Sequence, residues 1–128
     1  MTYLLDASAV LAALLDEPGG NFVYGVMSDS QISVVNLSEV YATLLDGGMG
    51  LGLAEEIVGA LPYRIRNFGG AHAVQTAKLR PLTRQLGLSL GDRACIAHAM
   101  MDGLAILTSD RRMAQAKDVL AMDIRMIR

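Results

Sequence analysis

The chain has no tryptophan, one cysteine, three prolines and only 5% aromatic residues among its 128. A single cysteine, Cys95, excludes an intramolecular disulfide framework and fits a reducing cytoplasm. Flanked by Ala94, Ile96 and Ala97, it reads as a small core residue. The shortage of aromatics leaves few platforms on which bases could stack. Long apolar runs are also missing: none reaches the ~18 residues of a membrane helix. The longest, Ala7 to Leu15, is closed by Asp16, Glu17 and Pro18. No basic residue precedes it and Asp6 interrupts the apolar stretch, which argues against a signal peptide. Excess positive charge is absent too. A net charge of −2 and a pI of about 5.6 argue against holding nucleic acid by a global positive field. An acidic centre that binds divalent cations stays open.

Several motifs are absent. His72 and His98 are the only histidines, and neither lies in a zinc-ligand spacing. His98, within "CIAHAMM", reads as a packing residue. No GxGxxG or GxxxxGK[ST] loop occurs, and "GGMGLG" follows a helix and reads as a turn. Ser8 and Ser109 stand near acids, but no histidine is placed to make either a nucleophile. Arg64, Arg66, Arg80 and Arg84 form a loose basic set that reads by default as solvated surface, with phosphate contact as the alternative.

What is present is a core. Hydrophobic residues make up 52% of the chain and charged residues 19%, which fits one globular domain over residues 1–128. Strands and helices alternate. "TYLL" predicts a buried strand, Ala7 to Leu15 a helix, and Asn21 to Ser28 a weaker helix. "QISVVN" predicts a second strand, with helices following at Leu37 to Leu45 and Leu53 to Leu61. "YRIRNF" predicts a strand in which Tyr63, Ile65 and Asn67 share a face. Ala71 to Arg80 predicts a helix that Pro81 breaks or restarts. Gly91 to Met101 predicts an alanine-rich helix, and "LAIL" and "IRMI" predict the last strands. This order implies an α/β/α fold with a mainly parallel sheet between helical layers.

Four acids recur where strands pass into helices. Each has a structural explanation as a cap: Asp6 before the first helix, Glu39 three residues after Asn36, Asp92 three after Ser89, and Asp110 after "LAILTS". As a set they call for more. Residues just past the strands of a parallel sheet converge on the edge where ligands bind. Four carboxylates there repel one another unless protonated or neutralised by cations. Hard oxygen ligands of this kind suit Mg²⁺ or Mn²⁺.

The segments "LLDASAVLAALLDEPG", "ISVVNLSEVYATLL", "GLSLGDRACIAHAM" and "AILTSDRRM" resemble, in order and spacing, those of PIN-domain proteins, and among them VapC-type toxins of prokaryotic toxin–antitoxin pairs. The resemblance runs from Thr2 to the closing "IRMI". It implies that Asp6, Glu39, Asp92 and Asp110 form the family's acidic quartet. Asp6, Asp92 and Asp110 would hold the metal, Glu39 would act through water, and Ser8 and Thr108 would support the site. It departs from the family in having Arg112 and Met113 where an aromatic commonly follows "TSDR". The implied activity is Mg²⁺- or Mn²⁺-dependent endoribonuclease cleavage of an RNA, of which a tRNA is one candidate. The implied partners are a small antitoxin protein and a second copy of the chain. A mean hydropathy of +0.36 agrees with a homodimer, whose surplus apolar surface is expected on "NFVYGVM" and "LAEEIVGAL". Two rivals differ in class. A PIN-like interaction module with little chemistry would not need the complete quartet. A phosphoryl-accepting receiver would need a lysine at a late strand end, and Lys117 precedes "DVLAMD" instead.

Overall fold

The computed structural model describes residues 1–128. Five strands form one sheet in the order β3-β2-β1-β4-β5, every neighbouring pair parallel: β1 Tyr3–Leu5, β2 Gln31–Ser33, β3 Arg64–Arg66, β4 Ala105–Thr108 and β5 Ile124–Met126. Seven α-helices connect them: α1 Ala7–Leu14, α2 Gly20–Val26, α3 Val34–Asp46, α4 Leu51–Gly59, α5 Gly70–Thr83, α6 Leu90–Asp102 and α7 Arg111–Leu120. The expected three-layer architecture is therefore present, with a sheet that is wholly parallel.

Side chains of the central strands alternate between two cores. Tyr3, Leu5, Ala105 and Leu107 pack with residues of α1 to α4, including Val10, Val40 and Val58. Leu4 and Ile106 turn the other way, toward Leu79 of α5, Ile96 of α6 and Met113 of α7. Both faces of β1 and β4 are thus covered, which is why these strands read as continuous apolar runs. From β1 the chain proceeds outward to β2 and β3, then returns to lay β4 on the other side of β1. The gap between β1 and β4 is consequently the switch point of the sheet, where the ends of parallel strands open a crevice.

Three local expectations are corrected. The second strand stops at Ser33 and the helix begins at Val34, not at Leu37. Ser33 caps it by accepting the Val35 N–H at 3.2 Å, and Asn36, Val40 and Leu44 then fall on one buried face at i, i+4 and i+8. Helical burial outweighs the strand preference of the two valines. Asn36 and Glu39 consequently lie inside the helix and do not form a capping box. Pro81 does not break α5, which continues to Thr83. Both Pro81 and Ala77, whose carbonyl loses its usual partner, are exposed, so water can serve that carbonyl. Tyr63, just before β3, is buried but Ile65 within it is half exposed, because β3 is an edge strand with incomplete cover.

Candidate active site

The four acids do converge. Asp6, Glu39, Asp92 and Asp110, with Asn36 and Ser8, line one cavity of about 180 Å³ at the sheet's switch point. Each is delivered by a local device. Asp6 ends β1 and caps α1, accepting the Ala9 N–H at 2.9 Å. Asp110 follows β4 and caps α7, accepting the Arg112 N–H at 2.9 Å. Asp92 and Ser89 form the expected capping box at the start of α6: the Ser89 N–H donates to Asp92 at 3.0 Å, and Ser89 Oγ accepts the Asp92 N–H at 3.2 Å. Glu39 comes from the second turn of α3. Capping and convergence therefore coexist in three of the four residues.

Asp6 is the most buried of the four, 5% exposed, and its carboxylate is held by a small network. Ser8 Oγ donates to Oδ1 at 2.6 Å and Thr108 Oγ1 donates to Oδ2. Those hydroxyls accept in turn from the backbone N–H groups of Ser109 and Asp110, each at 2.9 Å. Since each hydroxyl has one proton and gives it to Asp6, their mutual approach at 3.2 Å is a contact, not a bond. Ser8 and Thr108 thus tie β1 to β4 across the crevice. Burial pushes the Asp6 carboxyl up to about 6, with the charge of Asp92 adding to it and the Ser8, Thr108 and Ala9 donors opposing it. Glu39 is raised as well, first by burial and then by Asp92, against the Asn36 hydrogen bond.

Two residues of the site were not foreseen as such. Asn36 Nδ2 donates to Glu39 Oε1 at 2.7 Å and to the Gly91 carbonyl at 3.1 Å, pinning the glutamate of α3 to the first turn of α6. Gly91 makes room for that carboxylate, because a Cβ there would lie 2.4 Å from Glu39 Oε2. The N-x-x-E spacing was visible in the sequence but read as a cap, and nothing local marks Gly91. His98 is fully buried in α6, as its apolar setting suggested. Cys95 is buried too, and burial together with Asp6, Asp92 and Glu39 pushes its thiol well up, so it stays protonated.

The arrangement suits a hard divalent cation. Its donors are all oxygens, and the raised pKa of Asp6 is what a neighbouring cation would relieve. Asp92 and Asp110 each spend one oxygen on a backbone N–H and keep the other free, as does Glu39 toward Asn36. No three of the acids stand ready-made as one ligand set, which is expected of like charges facing one another without a counter-ion.

No curated protein matches the chain in sequence. Solved structures match it in fold. DNA-bound VapBC from Salmonella typhimurium is 16% identical with a TM-score of 0.77, covering 100% of this chain and 99% of that one. VapBC2 from Rickettsia felis, bound to a DNA fragment from their promoter, is 16% identical with a TM-score of 0.74, covering 98% of each chain. A toxin–antitoxin complex from Klebsiella pneumoniae is 14% identical with a TM-score of 0.73, again covering 98% of each. At such identities the likeness is one of fold. The sequence model of the PIN domain matches residues 3–119, from β1 into α7, and the chain belongs to the PIN-domain family.

Proposed function

We propose that the protein is a Mg²⁺- or Mn²⁺-dependent endoribonuclease, the toxin of a toxin–antitoxin pair. The observation that carries this reading is the meeting of four carboxylates in one cavity at the switch point of a PIN fold. The similar structures named as VapBC and toxin–antitoxin complexes support the biological setting. Asp6, Asp92 and Asp110 would hold the ion. When bound, it would polarise the scissile phosphate and acidify water for in-line attack. The chain's own work is positional. Ser8 and Thr108 fix both oxygens of Asp6, and the caps of α6 and α7 aim Asp92 and Asp110. Glu39, held by Asn36 on one oxygen, orients the attacking water with the other and can accept its proton, for which a raised pKa is suited.

Mn²⁺ should raise the melting temperature of the wild type, because a ligand bound only by the folded state stabilises it by mass action. At a free concentration 100 times Kd the gain is about 2.7 kcal/mol. Differential scanning fluorimetry reads it, and Asp92→Asn should lose most of the shift. An equal shift in that variant would contradict the assignment of Asp92.

A cytoplasmic RNase must be restrained by another molecule. The partner we propose is a small antitoxin encoded beside this chain. No helix is long and apolar enough to cross a membrane. Exposed Phe22 and Tyr24 on α2, and Leu51 and Leu53 on α4, supply apolar surface for the proposed homodimer. Expression of the chain alone should arrest growth of the host cell, Asp92→Asn should not, and co-expression of the neighbouring gene product should restore growth. Harmless expression of a soluble wild-type chain would overturn the toxin reading.

A further inference from the structure

Charge is divided unevenly along the chain and between the layers of the fold. Residues 1–63 contain eight acids and no lysine or arginine. Residues 64–128 contain all eleven basic residues with five acids, so the two parts carry formal charges of −8 and +6. The first part builds β1, β2 and the α1–α4 layer, and the second builds the α5–α7 layer with the remaining strands. A polyanion is therefore repelled from one face of the sheet and attracted to the other.

Within the basic layer the cations are not used for internal pairing. Arg66, Arg125 and Arg128, which form ion pairs with carboxylates, lie on β3, on β5 and at the last residue. The seven on α5, α6, α7 and the turn Arg84–Leu86 have no carboxylate within ion-pair distance, so their charge is uncompensated. Position within the layer singles out three of them. Arg111 and Arg112 directly follow Asp110, and the Arg84–Leu86 turn packs against α7, with Arg112 Nη1 lying 3.5 Å from the Gly87 carbonyl. All three are exposed. Arg93 instead turns into the α5–α6 contact, with Nη1 3.4 Å from the Thr76 carbonyl. Lys117 lies about 9 Å further along the axis of α7, close to a Debye length at physiological salt.

The placement of Arg111 and Arg112 costs stability. Two cations in the first turn of α7 sit at the positive end of the helix dipole, where acids are favoured. Such a local violation is expected where a ligand uses the charge. We infer that Arg84, Arg111 and Arg112 form a phosphate track that receives the substrate RNA strand next to its scissile bond, so that the strand enters the acidic cavity from the α7 side. This inference rests on the nuclease reading. For Arg84 it takes the phosphate-contact alternative over solvated surface.

The test is the binding of a fluorescein-labelled single-stranded RNA of mixed sequence to the full chain, by anisotropy over a salt series. Cleavage is measured separately with Mg²⁺. R84A/R111A/R112A should bind about 100-fold more weakly near 0.1 M salt, with a slope of log K against log salt smaller in magnitude by about 2. R84A/R111A, which spares the Arg112 contact with Gly87, should lose about 1.4 of that slope. Lys78→Ala/Lys117→Ala removes two cations of the same layer outside the proposed track and should lose far less. The melting temperature of the triple variant should be unchanged or higher, a result that a structural role would not give. Wild-type cleavage combined with unaltered RNA binding by both arginine variants would overturn the track and leave the nuclease reading standing. A wild type that neither binds nor cleaves RNA would overturn both. Loss of salt-dependent self-association in the variants without loss of RNA affinity would make the patch a contact between copies of this chain, and would also overturn the track.

Discussion

Asp6→Asn should leave the protein inactive by a factor on the order of 10³, yet more heat-stable than the wild type when both are free of metal. The first half follows from losing the charge of the most buried ligand candidate. The second follows from the direction of its pKa. Asp6 is raised from 3.8 to about 6, so the folded state holds its proton more tightly than the unfolded state does. Below 3.8 both states are protonated and the residue is neutral toward stability. Between 3.8 and about 6 stability falls as pH rises, and above 6 the full penalty applies, at most about 3 kcal/mol. Asparagine removes that penalty without orphaning its neighbours. Its oxygen can accept from Ser8 and Ala9, its amide can donate to Thr108, and the Thr108 hydroxyl can turn to Ser8 Oγ, now 3.2 Å away. His98 imposes an opposite trend, since burial lowers its pKa and protonation below about 6.5 opposes folding. That contribution is common to both proteins. The difference in melting temperature between variant and wild type, measured from pH 5 to pH 8, isolates Asp6 and should grow with pH. A variant less stable than wild type throughout would make Asp6 a structural acceptor first.

Gly91→Ala should separate activity from stability in the other direction. Alanine is the better helix former by about 1 kcal/mol, and Gly91 lies within α6. The added Cβ meets only the end of the Glu39 side chain, with Oε2 at 2.4 Å, Cδ at 2.5 Å and Oε1 at 2.6 Å. That side chain can swing aside at little cost, but it then loses Asn36 and its place in the cavity. Activity should fall about 10- to 100-fold, the usual effect of disturbing a group that supports a metal site, and should match the loss in Glu39→Gln. Urea unfolding should show stability within about 1 kcal/mol of wild type. Full activity in Gly91→Ala would remove Glu39 from the mechanism. A collapse of stability would mean that the backbone of α6 had been displaced as well.

The pair Glu39–Gly91 also marks the limit of what the sequence discloses. Acids with short-range duties were legible. Asp6, Asp92 and Asp110 sit beside the helices they cap, and strand–helix alternation is enough to bring such positions to one edge of a parallel sheet. The alternation also revealed every strand and six of the seven helices, α7 being suggested only by Asp110 as a cap, with boundaries a few residues off where burial outweighed propensity, as at Val34, or where an exposed proline was tolerated, as at Pro81. Glu39 was found, but its reason was misread, because Asn36 answers to Gly91 across 55 positions of chain and not to its own helix terminus. The same holds for the uncompensated arginines. Arg111 and Arg112 adjoin Asp110 in the sequence and residues 57–91 hold no acid, but only the packing of the turn Arg84–Leu86 on α7 adds Arg84 to that pair.

The four carboxylates are proposed to make this fold a metal-dependent ribonuclease, and cleavage of RNA by the purified chain is the decisive assay. A labelled RNA is incubated with wild type and with Asp92→Asn, in Mg²⁺, in EDTA, and after Mg²⁺ is restored in excess over EDTA. Cleavage by the wild type should appear in Mg²⁺, vanish in EDTA and return on restoration, while Asp92→Asn stays inactive throughout and remains folded by circular dichroism. Cleavage that persists undiminished in EDTA, or equal cleavage by Asp92→Asn, would contradict the account.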